Sequence, residues 1–178
     1  MTFSALQATN LDELRPEVKD IIRGSIDMHV HAAPDPYTER RTDSRELVVS
    51  AIEAGMGGLV LKSHDYATQP IAWALDTEFD DIDVYGSVAL DWGVGGLNPD
   101  AVAVSLSIGA KVIWMPTFDS AAYRDRGGNF FSKGAGIPIL NDSGELLPEC
   151  HDILDEIASH DAVLASGHIS PVETLVLL

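Results

Sequence analysis

The alternation of predicted strands and helices is the feature that most constrains the fold of this 178-residue chain. Each predicted strand is followed by an amphipathic helix or by the start of one, at intervals of about 30 residues. Parallel neighbours need such crossovers, so the pattern predicts right-handed βαβ units on a parallel sheet and an α/β fold class. The predicted strands are SIDMHVHAA, GGLVLKSH, DIDVYGSVAL, AKVIWMPTF and AVLASGHIS.

Polar residues gather at the carboxyl ends of the first two predicted strands, where barrel enzymes place their chemistry. This favours a (β/α)8 TIM barrel over a doubly wound sheet. Only about five of the eight units are present, and a complete barrel takes about 250 residues. We therefore predict a single domain over residues 1–178, the N-terminal portion of a barrel, with a leading helix within residues 1–23 and an open sheet edge.

A long segment at 119–148 follows the fourth predicted strand on the presumed active face. Its IPIL and ELLP arms predict a short hairpin around residues 141–144. Two interpretations stay open for it. It is either a lid that presents Arg124, Arg126 or Lys133 to an anionic substrate, or a structural insertion.

Charge and composition narrow the function classes. With 11 basic and 28 acidic residues the net charge is −17, which argues against nucleic acid and against anionic membranes as partners. The single Cys150 cannot form an internal disulfide, and the N-terminus has no signal or membrane span, so a cytoplasmic location is expected. A small-molecule substrate is expected, and homo-oligomerisation stays open.

The first predicted strand carries the strongest site signal. Alternate residues share a face, so Asp27, His29 and His31 point one way. Ile26, Met28 and Val30 point to the other side, where helices can cover them. Two imidazoles about 7 Å apart along a strand can converge on one cation. The alternative is a pair of structural histidines.

Further candidates follow the other predicted strands. His64 ends the second strand, with Lys62 on its face. Lys62 could hold an oxyanion, position a substrate carboxylate, become carboxylated into a bridging ligand, or simply pair with Asp65 or Asp27. The candidate metal ligands are His29, His31, His64 and His168, and the candidate catalytic residues are Asp27, Lys62 and Asp91.

The remaining polar residues have competing explanations. His168 follows Gly167 at the end of the fifth strand, and it could instead cap the helix that begins after Ser170. Asp91 and Asp119 suit the orientation of an imidazole or general base work, but both are also ordinary turn residues. His151 and His160, which fall on or at the end of a predicted helix, are expected to face solvent.

Three motifs, IDMHVHAAPD, GGLVLKSHDY and LASGHIS, make residues 24–174 similar to the amidohydrolase superfamily of metal-dependent barrel hydrolases. The resemblance implies that His29 and His31 are the metal pair of strand one and that His168 is the histidine of strand five. Strand four, AKVIWMPTF, lacks the lysine or glutamate that this superfamily carries there. The histidine of strand six and the aspartate of strand eight would lie beyond Leu178.

A second resemblance is to the polymerase and histidinol phosphatase family, whose barrels also open with His-X-His. KSHDYAT stands where that family carries Thr-Asp-His. The glutamate that it carries at the end of strand three is absent, with Ala89, Leu90 and Asp91 in its place. This resemblance implies phosphoester hydrolysis.

The expected chemistry follows from the metal. A divalent ion held by His29, His31 and His168 lowers the pKa of bound water toward 7 and polarises the scissile group. We expect hydrolysis of a C–N or C–O bond in a small polar substrate, with zinc preferred to manganese or iron because imidazole ligands favour it. The alternatives are a phosphoesterase, a decarboxylase or lyase on the same scaffold, and a non-catalytic or truncated barrel fragment.

Overall fold

Five parallel strands form one curled sheet in the structure, a computed structural model that describes residues 14–128, 132 and 134–178. The strands are β1 (Ile26–Val30), β2 (Gly58–Leu61), β3 (Asp83–Ala89), β4 (Ala110–Trp114) and β5 (Val163–Ala165). The helices are α1 (Pro16–Ile22), α2 (Ser44–Glu53), α3 (Gln69–Glu78), α4 (Pro99–Ser107), α5 (Ala121–Asp125), α6 (Pro148–Ser159) and α7 (Pro171–Leu177). This confirms the predicted α/β class.

The strand order is β1-β2-β3-β4-β5, so each strand pairs with its sequence neighbour. A doubly wound sheet needs a reversal of order, which these five strands do not contain. The sheet curls into half a barrel. A (β/α)8 barrel would need three further strands and stays a prediction.

Local capping explains where the helices begin. The Asp43 side chain accepts from the backbone N–H of Glu46, whose own side chain bonds back, and Ser170 and Glu173 repeat this capping box at α7. The Asn98 side chain caps α4, with a proline in the first turn. The predicted starts of α2 and α4 are thus confirmed.

Two apolar clusters lie between the sheet and its helices. Leu59 and Leu61 of β2 pack in one of them, against α2 and α3, whereas Ile113 and Met115 belong to the other, with residues of α4 and α6. Because side chains alternate along a strand, Val60 and Lys62 lie on the opposite face of β2. Lys62 Nζ lies 3.5 Å from His64 Nδ1, which confirms that these two side chains share a face, as predicted.

Strand β1 meets only in part the prediction that helices would cover its apolar face, because Val30 packs against the cluster that contains residues of α2 and α3. Ile26 is 45% exposed and Met28 is 47% exposed. Within the part of the chain that the structure describes, β1 is an edge strand and pairs only with β2, and the neighbouring helix α1 buries none of its residues. Described helices thus cover this face at Val30, near the end of the strand, and leave Ile26 and Met28 exposed.

The segment at 119–148 contains α5 and a turn in place of a full hairpin. A single antiparallel bridge joins Leu140 to Leu146, and the Asn141 side chain accepts from the backbone between them. Lys133 and residues 1–13 of the predicted leading helix lie outside the described residues. No described helix is long and apolar enough to cross a membrane.

Candidate functional site

Four histidines meet at the carboxyl ends of β1, β2 and β5. The Nε2 atoms of His29 and His31 lie 3.2 Å apart. The rings of His31 and His64 stack with centroids 4.9 Å apart, and the His64 and His168 centroids lie 5.8 Å apart. The structure thus brings together all four histidines that the sequence singled out as ligands.

The spacing of the first pair fits two ligands of one metal ion. A tetrahedral zinc with bonds of 2.0–2.1 Å separates two nitrogen ligands by about 3.3 Å, close to the 3.2 Å between His29 and His31. Among the described residues, no group of three or more His, Cys, Asp or Glu side chains is arranged to hold a metal. The fit therefore extends to the pair and not to a complete ligand set.

Asp27 lies beside this pair. Its Oδ1 accepts a hydrogen bond of 2.9 Å from the backbone N–H of His29. The carboxylate therefore supports the backbone at the histidine pair. A role in proton transfer stays a prediction for Asp27.

A buried hydrogen-bond network holds His64. Its Nδ1 lies 2.6 Å from Thr117 Oγ1, and that hydroxyl donates a short bond to Asp91. Asp91 also accepts from the backbone N–H groups of Thr117 at 2.7 Å and Asp119 at 3.0 Å. Because the hydroxyl proton goes to Asp91, the hydroxyl accepts from His64, which places the ring proton on Nδ1 and leaves the Nε2 lone pair open. Asp91 thus orients His64, while direct catalysis by Asp91 stays a prediction.

Lys62 is a buried cation, only 3% exposed. Its Nζ lies 3.5 Å from His64 Nδ1 and 4.9 Å from the centroid of the Trp114 ring. No carboxylate of the described residues lies within 4.0 Å of it, so neither ion pair considered from the sequence forms. Burial lowers the pKa of Lys62 to about 8, although the charge of Asp91 raises it.

The four clustered histidines are in the neutral form at pH 7, because their pKa values lie below that of free imidazole. Burial, followed by the charge of Lys62, lowers the pKa of His31 to about 4, of His64 to about 2 and of His168 to about 4. The same two causes lower the pKa of His29. Neutral imidazole has the free lone pair that a metal ligand needs.

His168 is placed by its backbone. Gly167 has a φ of 61°, and a Cβ there would collide with the carbonyl oxygen of Met115. The His168 N–H donates to Pro116 at 2.9 Å, and the ring Nδ1 is buried with no hydrogen-bond partner in the described part of the chain. The side chain that caps α7 belongs to Ser170, so the capping explanation for His168 is wrong.

The two described arginines of the segment at 119–148 contact the protein itself, whereas a lid would present them to a substrate. Arg124 forms a short ion pair with Asp119, whose other oxygen accepts from the backbone of Trp92. Arg126 lies at the edge of the site, with Nη2 3.5 Å from the carbonyl oxygen of His168. For Arg124 these contacts favour a structural role.

Several residues of the site carried no role in the sequence analysis. The Trp114 ring lies 4.7 Å from the ring of His29, and its inward position could have been read from the parity of β4. Phe118 stacks on His64 at 3.9 Å. Arg40, in the loop after β1, pairs with Asp35 at 2.6 Å and lowers the pKa of His31, Lys62 and His64.

A pocket of about 320 Å³ lies on the Phe118 side of His64. Burial and neighbouring carboxylates raise the pKa of one of its residues, Asp65, to about 6. His151 and His160 are exposed and lie outside the site, as predicted. The pocket is lined by Tyr37, His64, Asp65, Asp91, Trp92, Gly93, Phe118, Asp119 and Ser132.

Fold and site together define an α/β protein with a histidine cluster at the carboxyl end of a curled parallel sheet. All five strands and all four clustered histidines fall within residues 24–178. The chain belongs to DUF6282, a family of unknown function, whose sequence profile matches those residues. No curated protein matches the chain.

Proposed function

We propose that this protein is a metal-dependent hydrolase that acts on a C–N or C–O bond of a small polar molecule in the cytoplasm. The observation that supports it best is the 3.2 Å separation of His29 Nε2 and His31 Nε2. We propose His168 as the third ligand, because its Nδ1 has no partner among the described residues, and His64 as a fourth neighbour. The strand sequence also supports a (β/α)8 barrel as the parent fold.

The donor set fits zinc better than manganese or iron, since neutral imidazoles surround the site. The ion, when bound, would lower the pKa of a water molecule and polarise the scissile group. Asp91 acts through Thr117 to keep the tautomer of His64. Asp27 lies beside the pair as the candidate proton acceptor.

Metal analysis tests the proposal. We expect about one zinc per chain after purification from zinc-supplemented medium, and loss of that zinc in a His29→Ala/His31→Ala variant. A His151→Ala/His160→Ala variant removes two exposed histidines and is the matched control. No stoichiometric metal in the parent, or equal metal in both variants, would sink the proposal.

An activity panel then separates the enzyme classes. Amides, lactones and phosphoesters are assayed with added zinc and with added manganese. Turnover of amides or lactones by the parent protein, with no turnover by the His29→Ala/His31→Ala variant, would support the proposed reaction. Selective phosphoester turnover would instead support the polymerase and histidinol phosphatase resemblance.

A further inference from the structure

We propose that Lys62 and Trp114 form an anion-binding subsite beside the histidine pair, and that it takes a carboxylate of the substrate. That this carboxylate belongs to a substrate rests on the proposed function, whereas anion binding by Lys62 and Trp114 can be tested without it. Three features of the described residues support the assignment. They are the charge of Lys62, which has no counter-charge nearby, the unsatisfied indole N–H of Trp114, and the contacts of the Trp114 ring with both Lys62 and His29.

Lys62 lacks a counter-charge. It is 3% exposed, and no described carboxylate lies within ion-pair distance of it. Asp91 is the acidic group that acts most on Lys62, but its oxygens already accept from Thr117 and Asp119. Burial of an unpaired charge is unfavourable, so an anion next to the ammonium group would stabilise this arrangement.

Trp114 offers a second donor. Its indole Nε1 is buried and has no hydrogen-bond partner among the residues that the structure describes. A buried donor without a partner is uncommon in folded proteins, and a ligand oxygen is one way to satisfy it. The Lys62 ammonium lies 4.9 Å from the ring centroid, close enough for one carboxylate to contact both donors.

The position of Trp114 relates the subsite to the candidate metal site. The Trp114 ring contacts both residues, with its centroid 4.9 Å from Lys62 Nζ and 4.7 Å from the centroid of the His29 ring. A carboxylate held by these two donors would therefore place the atoms bonded to it near the histidine pair. The subsite accordingly predicts a substrate with a carboxylate close to the bond that is cleaved.

The donor types favour a carboxylate over a phosphoryl group. One ammonium and one indole N–H match the two oxygens of a carboxylate. Phosphoryl groups are usually held by forked arginines or by several backbone N–H groups at a helix N-terminus. Lys62 and Trp114 offer neither arrangement. The net charge of −17 also means that bulk attraction does not concentrate anions, so a local site must bind them.

The test uses the full chain without metal, labelled with ¹⁵N at its three tryptophans. Trp114→Phe identifies the indole N–H signal of Trp114. Acetate is titrated at constant ionic strength, in parallel with inorganic phosphate and bicarbonate. The variants are Lys62→Met, Lys62→Arg and, as the matched control, Lys111→Met, which removes an exposed lysine of β4.

We expect acetate to shift the Trp114 signal saturably, with affinity at least about tenfold weaker in Lys62→Met because a charge-assisted hydrogen bond is lost. Lys62→Arg should retain binding, which separates an effect of charge from a folding defect, and Lys111→Met should match the parent.

An unmoved Trp114 signal, or equal affinity in Lys62→Met, would overturn the subsite. Tighter phosphate than acetate binding would overturn the carboxylate. A mass increase of one carbon dioxide on Lys62 in bicarbonate would show carboxylation of the lysine and also overturn it.

Failure of the metal proposal is distinguishable from failure of the subsite. The His29→Ala/His31→Ala variant should lose zinc but still bind acetate through Lys62. Loss of acetate binding in that variant, with the fold intact by circular dichroism, would contradict a subsite built by Lys62 and Trp114.

Discussion

The histidine cluster has an edge half, which is the pair His29 and His31 at β1, and a buried half, which is His64 at the end of β2. The two halves are built in different ways. His29 is exposed on the edge strand β1, where its ring nitrogen bonds to His31. His64 is buried at the end of β2, held through Thr117 by Asp91. One half is open to ligand, whereas the other is fixed by a complete hydrogen-bond network. The difference shows that ligand access and orientation are supplied by different strands.

We therefore expect the buried half to stabilise the fold and the edge half to serve mainly in ligand binding. A buried polar network is stabilising only when every member has its partner, and the loss of one member leaves the others unsatisfied. Exposed polar contacts contribute little to stability. Substitutions in the two halves should therefore have effects of different size.

The largest effect is expected from Asp91→Ala. This variant leaves two buried N–H groups and the Thr117 hydroxyl without their acceptor. We expect a loss of about 3–5 kcal/mol of unfolding free energy, or roughly 10 °C in the midpoint. Thermal unfolding followed by circular dichroism measures it, with exposed Asp100→Ala as the control. A loss below about 1 kcal/mol would show that the network does not stabilise the buried half.

A smaller and opposite effect is expected from Asp65→Asn. The pKa of Asp65 is raised from 3.8 to about 6 in the fold, so the ionised carboxylate destabilises the native state at pH 7. The variant should gain about 1 kcal/mol there, after allowance for screening by solvent, or about 3 °C. Asp65 takes up its proton as the pH falls through 6, so the gain should shrink and vanish below about pH 4. A gain independent of pH would contradict this cause.

The smallest effect is expected from His29→Ala in chelator-treated protein. The side chain is exposed, so the unfolding free energy should change by no more than about 0.5 kcal/mol. Urea unfolding of the parent and the variant measures it. A loss above about 1.5 kcal/mol would mean that the edge half is also part of the stabilising core, and the distinction between the halves would fail.

Periodicity accounts for how much of this molecule could be predicted. The βα alternation predicted the class and the five strands with the helices α2, α3, α4, α6 and α7, because apolar spacing in each segment reflects the face that it buries. It did not predict α5. His31, His64 and His168 could be placed together because parallel strands end at one edge of a sheet. These inferences need only local pattern and topology.

Contacts between distant loops could not be predicted. Thr117 joins Asp91 to His64, but a threonine after a strand carries no pattern that would indicate this. Arg40 comes from a loop whose path does not follow from spacing. The exposure of Ile26 and Met28 likewise depends on which element covers β1, and strand alternation does not contain that information.

Because the strands follow one another in sequence order across the sheet, the distances between the histidines depend on how strongly the sheet curls. β1 and β5 are the two edges of the sheet, and in a flat sheet they would lie about 19 Å apart, four spacings of about 4.8 Å. Yet the His64 ring lies 4.9 Å from that of His31 and 5.8 Å from that of His168. Any motion that flattens the sheet or detaches an edge strand would therefore separate the histidines.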